Sequence, residues 1–284
     1  MKSLTIAMVT VREVTRRRLV LALVVLSAFA VALTGWGFSR LPGIRDRGVP
    51  ITAADLTLVS SQLLIFVLFM FSAVLGLGAV MVAAQSVSGE VESGQALAVL
   101  ARPIRRAEVI LGKWLGLGGL IVVYAAVASG AEFLVVHWAT GYLPPHPVEA
   151  AVFVAIEGLV LLTLTLLLSV GLSGITAGVI ALMFFFITWI AGVAGAVGTV
   201  LGNGPIEAIG NISRMLLPSD GLWRAAIFNL EPDTVVAVAS GSREAAANPF
   251  TSLSPPAGAY LAWVAVWIVA IVGLTIAAFR RREL

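Results

Sequence analysis

Long apolar stretches recur six times along this chain, and charged residues collect in the gaps between them. The stretches cover residues 19–38, 53–84, 109–136, 149–168, 175–199 and 257–279. About 20 apolar residues at 1.5 Å each cross the hydrocarbon core of a bilayer. Each stretch therefore predicts a membrane-spanning helix, and the whole predicts an all-α polytopic protein with six spans. The second stretch is long enough for roughly 48 Å of helix, so it must tilt or project from the bilayer. Ahead of the first span, residues 1–18 are polar and basic, with Leu4, Ile6, Met8, Val11 and Val14 near helical spacing. That pattern predicts an amphipathic helix lying at the membrane interface.

The gaps differ in character. Arg40, Pro42, Arg45, Asp46 and Arg47 form a loop after the first span, and a charged segment fills 85–108. A proline-rich turn occupies 143–147, and a tight reversal occupies 169–174. Residues 200–256 are the longest polar-enriched stretch and contain Pro205, Pro218, Pro232, Pro249, Pro255 and Pro256. Those prolines exclude one continuous helix. Within the stretch, 206–216 and 221–229 alternate apolar and polar residues as short helices do. The expectation is two short helices resting on the outer face of the bundle.

Composition narrows the class. Apolar residues make up 60% of the 284 and charged residues 12%, against roughly 25% charged in soluble domains. Cysteine is absent, which excludes thiolate metal sites, iron–sulfur clusters and cysteine nucleophiles. The net charge of +3 does not point to nucleic acid, because most arginines flank apolar segments, where they set orientation. With the N-terminus in the cytoplasm, 12 lysines and arginines fall inside and 6 outside, out of 18. Both basic termini are then cytoplasmic. The first outer loop, with three arginines, runs against the trend. Ala28-Phe-Ala30 behind a basic start imitates a signal-peptide cleavage site, but the apolar run continues to about Phe38, longer than an ordinary signal core.

Catalytic and metal-binding patterns are missing. Gly112-Lys113 lacks the earlier glycine and the following Ser or Thr of a phosphate-binding loop. His137 and His146 have no ligand spacing around them. Glycines at 76, 78, 116, 118, 119, 192, 195 and 198 lie inside apolar helices, where small residues let helices approach closely. Two carboxylates fall inside predicted spans. Glu132 is near the outer end of the third, and Glu157 lies roughly 12 Å into the fourth. Buried charges in a membrane face a cavity or a partner. Glu132 and Glu157 are thus read either as the polar wall of a substrate path or as a hydrogen-bonded structural pair at one depth.

The segment 85–113 carries the most information. Gly89 and Gly94 punctuate it, Ser93 can cap a short helix, and Leu97, Leu100 and Ala101 share one side of that helix. Arg102-Pro103 ends it, since a residue before proline is pushed out of the α region. Glu108 then suits the positive end of the next helix. One reading is a solvated, positively charged loop. The other comes from resemblance. Glu90-x-Glu92-x-Gly94-Gln95, Leu97, Leu100-Ala-Arg102-Pro-Ile-Arg105 and Ile110-Leu-Gly-Lys113 resemble ABC-transporter permeases of the type-2 exporter family. Within it they look most like the nitrous-oxide-reductase maturation branch. Arg12-Glu13, the 215–223 stretch and the Phe279-Arg-Arg-Arg282 terminus resemble the family more diffusely, and Gln95 stands where it more often has Thr.

The resemblance implies a permease subunit with no ATPase and no bound cofactor of its own. ATP and magnesium would sit in a cytoplasmic ABC ATP-binding partner. A second copy of the permease, or a related chain, would complete the transporter in a bacterial or archaeal plasma membrane, with lipid around it. Glu90, Glu92, Gly94, Gln95, Leu97, Leu100, Arg102 and Arg105 would form the contact that couples it to the ATPase. The rival reading is a membrane anchor that docks a periplasmic or redox protein through 200–256 and transports nothing.

Overall fold

The computed structural model describes residues 2–16, 18–46, 49–92, 105–241 and 248–281. Ten α-helices carry almost all of them: α1 (Lys2–Thr15), α2 (Arg18–Phe38), α3 (Ala53–Glu92), α4 (Arg106–Thr140), α5 (Pro147–Gly171), α6 (Gly174–Leu201), α7 (Gly204–Leu216), α8 (Ser219–Leu230), α9 (Asp233–Ser240) and α10 (Gly258–Arg281). A 3₁₀ turn at Leu41–Gly43 and a two-residue antiparallel pair, β1 (Arg45–Asp46) with β2 (Val49–Pro50), link α2 to α3. Six helices are long and apolar enough to span a membrane: α2, α3, α4, α5, α6 and α10. They match the six expected spans.

The helix ends follow local chemistry. Arg105 N–H donates to the Glu108 carboxylate at 2.9 Å, which opens α4. Gly141 closes it in the left-handed region at φ 78°, a conformation glycine adopts without strain. Ser173 accepts from Thr176 N–H to start α6. Gly202, at φ 66°, ends α6. Asn203 then caps α7 by accepting from Ile206 N–H, with Pro205 in the first turn, where its missing N–H costs nothing.

α5 sits at the centre. Its Val160, Leu161, Leu162 and Leu166 are buried, as are Leu64, Ile65 and Leu68 of α3. α3, α4, α6, α8 and α10 all pack on α5. α2 stands at the rim, with Leu21, Val24, Val25, Phe29 and Leu33 exposed. In a bilayer these are lipid-facing positions.

Two expectations change. α3 continues to Glu92 and α4 begins at Arg106, so helix occupies both ends of the segment expected to lie between spans. The short helices at 206–216 and 221–229 do form, as α7 and α8, but they do not rest on top. α7 turns back along α6, and α8 returns along α5 with Leu222, Trp223, Ile227 and Leu230 buried. The cause is the glycine stripe of α6. A Cβ on Gly195 would lie 2.7 Å from the Gly210 Cα, and one on Gly198 would lie 2.7 Å from the Glu207 nitrogen. Backbones this close need glycine, and the pair forms a re-entrant hairpin.

Candidate functional site

At the end of the bundle that carries both termini, three contacts gather at the start of α4. Lys113 of α4 is buried, and its ammonium donates to the Ser86 carbonyl of α3. The Arg106 guanidinium donates to the carbonyls of Phe279 at 3.0 Å and Arg280 at 3.1 Å, at the end of α10. It also lies over the Phe279 ring, 6.0 Å from its centre. α1 lies against the first half of α4. A Cβ on Gly112 would meet Ile6 at 2.6 Å, and one on Gly116 would meet the Ala7 carbonyl at 2.7 Å. Thus α1, α3, α4 and α10 are tied together where α3 and α4 emerge.

Of the expected coupling residues, Arg105 is exposed at the start of α4. Glu90 and Glu92 belong to the last turn of α3. Gly94, Gln95, Leu97, Leu100 and Arg102 lie outside the described residues, as does the Ser93 cap. The ties through Lys113 and Arg106 were not foreseen. A basic residue beside an apolar run reads as an orientation signal, and sequence does not show which carbonyls it reaches.

Glu132 and Glu157 are both buried in the bundle, but each has its own hydroxyl partner. Thr34 of α2 donates to Glu132 at 3.4 Å, and Ser72 of α3 donates to Glu157 at 2.5 Å. α8 brings a third acid group close. Asp220, at the start of α8, sits against Gly192 of α6 and pairs with Arg214 at 2.7 Å and Arg224 at 3.2 Å. Both arginines also donate to the Gly192 carbonyl. Two cations on one carboxylate, each also bound to a carbonyl, make a compact polar knot at the turn of the hairpin.

That turn frees backbone carbonyls partway along the length of α6, where in a membrane an unpaired one is costly. α10 supplies the donors. Trp263 Nε1–H reaches the Met215 carbonyl at 3.1 Å, Trp267 Nε1–H reaches Leu216 at 2.8 Å, and the Tyr260 hydroxyl reaches Pro218 at 3.0 Å. Thr188 and Ser219 share a further hydrogen bond at 3.0 Å between α6 and α8. At the end of the bundle opposite the termini, Tyr142 donates to the Leu230 carbonyl, and His146 N–H donates to the Asn229 carbonyl at 3.2 Å. Ser252 N–H donates to Glu231 at 3.1 Å. Burial raises the Glu231 carboxyl to about 7, offset in part by Ser252, Thr251 and Gln62.

Six spans, an amphipathic N-terminal helix and a re-entrant hairpin ahead of the last span define a helical polytopic membrane protein. A family model described as ABC-2 family transporter protein matches residues 4–284. The chain belongs to that family and is a membrane permease component of an ABC transporter. No curated protein matches the chain.

Proposed function

We propose that this permease is an exporter subunit driven by separate cytoplasmic ABC ATP-binding subunits, which hold the ATP and magnesium. Residues 89–101 form its coupling element. The observation that carries the reading is the set of ties at the start of α4. Lys113 joins α4 to α3, Arg106 joins α4 to α10, and the Gly112 and Gly116 contacts join α4 to α1. A push on the connecting segment is thereby delivered to four helices together rather than absorbed by a free loop. Two permease copies, or this chain with a relative, would frame the path, and both termini would be cytoplasmic. Within the family the chain would fall in the nitrous-oxide-reductase maturation branch, which its 89–113 residues resemble.

The test is binding of the ABC ATP-binding subunit that co-purifies with the permease. Leu97 and Leu100 supply the apolar anchor and Glu90 and Glu92 the polar one. Burying a leucine contributes about 1.5–3 kcal/mol, and interface energy concentrates in few anchors. Leu97→Asp is expected to weaken pull-down by about tenfold or more, with normal membrane insertion. Glu90→Arg with Glu92→Arg is expected to do the same. Wild-type binding and wild-type coupled ATPase activity in both variants would reject the coupling role.

A further inference from the structure

A groove on the side of the bundle takes no part in the coupling contacts. It is bounded by α2, α3 and α4, floored by Val14 of α1, and encloses about 280 Å³. Its lining is almost wholly aliphatic. A single water needs roughly 10–15 Å³ and two to four polar partners, so size invites an occupant and chemistry turns water away. The groove opens sideways, because Val24, Val123 and Val127 on its walls are 50%, 62% and 67% exposed. In a membrane that opening faces lipid.

Its two ends differ. Toward one end, Ser27 of α2 and Tyr124 of α4 share a hydrogen bond, with Val127 of the wall a turn beyond. The other is the α1–α2 corner, where groove-lining Val14 and Val20 bracket Arg16 and Arg18, both exposed. Arg12, a turn before Arg16, adds a further cation against one acid, Glu13. From Arg18 to Ser27 the helix rises roughly 14 Å, close to the ~15 Å of hydrocarbon in one leaflet. A hydrocarbon slot of one-leaflet depth with cations at its mouth matches one kind of molecule.

We propose that this groove binds an anionic phospholipid, one acyl chain lying between α2, α3 and α4 and its phosphate at Arg16 and Arg18. The bound lipid fills the seam between the rim helix and the core, so α2 packs through it. The proposal rests on the family's membrane location and not on the coupling reading, since it requires no ATPase.

The experiment places the purified permease in phosphatidylcholine nanodiscs with a trace of a diacyl lipid bearing a diazirine in its acyl chain. The probe lipid is phosphatidylglycerol in one arm and phosphatidylcholine in the other. Adducts are mapped by mass spectrometry. The expected result is labelling of α2 and α4 peptides around Val24 and Val123 that favours the phosphatidylglycerol probe. Each of the two arginines contributes about fivefold. Val123→Trp and Val127→Trp, at exposed wall positions, should cut that labelling at least fivefold and leave adducts elsewhere unchanged. Arg16→Ala with Arg18→Ala should bring the two probes to parity. Equal labelling by both probes in the wild type would overturn the anionic assignment, as would groove labelling unmoved by either tryptophan. If Val123→Trp instead separates a self-associated permease while lipid labelling is unaffected, the groove is an interface with a second copy and the proposal fails. Should a tryptophan variant not fold, the wild-type probe ratio and the exposed arginine pair decide.

Discussion

At the scale of single residues, Gly112 and Gly116 serve close helix contacts, and the buried acids Glu132 and Glu157 each have a hydroxyl partner. α1 approaches α4 so closely that any Cβ there meets Ile6 or the Ala7 carbonyl. Gly116→Val is therefore expected to cost about 1–3 kcal/mol through overpacking, read as a lowered melting temperature in detergent. Gly119→Ala, with open space around it, should cause little change. Glu231 shows a different balance. Its carboxyl is raised to about 7 in the folded state, chiefly by burial, while in the unfolded chain it titrates near 4.5. Below 4.5 both states are protonated and the contribution is fully present. Between 4.5 and 7 the unfolded chain ionises first, so stability falls as pH rises, and above 7 the contribution is lost. The fall is at most on the order of 3 kcal/mol. Glu231→Gln keeps an acceptor for Ser252 but cannot ionise. It should flatten the melting temperature between pH 5 and pH 8, and a slope equal to wild type would reject this assignment.

At the scale of elements, the α7–α8 hairpin is where sequence reading was right about type and wrong about place. Amphipathic alternation identified both short helices, because periodicity depends on nearest neighbours along the chain. It did not show that α7 would run back along α6, because the glycine stripe of α6 fits a lipid, a neighbouring span or a re-entrant helix equally well. α9 went unforeseen, since eight residues between proline-containing turns give too little periodicity. The structure also shows how the hairpin is held. The Leu216 carbonyl is capped by Trp267, a largely buried donor, and the Met215 carbonyl by the more exposed Trp263. Removing one partner of a buried hydrogen bond costs about 1–3 kcal/mol, and less where water can substitute. Trp267→Phe should accordingly lower the melting temperature by several degrees, and Trp263→Phe by clearly less. Equal effects would mean that ring packing, rather than the carbonyl caps, holds the turn.

At the scale of the whole molecule, the six spans were legible because each is a long apolar run, a signal that survives ignorance of every contact. The ties that make the bundle one device were not legible. Arg106 on the carbonyls of Phe279 and Arg280 joins residues over 170 positions apart, and nothing local in either segment indicates the other. The separate hydroxyl partners of Glu132 and Glu157 were hidden for the same reason. The arrangement also decides how topology is best tested. Asp220 lies in the expected outer segment, yet it is buried at the turn of the hairpin, 2% exposed, so a reporter there would break the knot with Arg214 and Arg224. Asn203, between α6 and α7, is exposed and lies at the outer end under the cytoplasmic-termini topology. The chain has no cysteine, so single cysteines can be read without background. In intact cells, Asn203→Cys should react with a membrane-impermeant maleimide, whereas Arg280→Cys should react only after the membrane is opened. Asp220→Cys should stay unreactive in both conditions while the protein is folded. Reaction of Arg280→Cys in intact cells would invert the topology, and would place the coupling residues on the side of the membrane that holds no ATP.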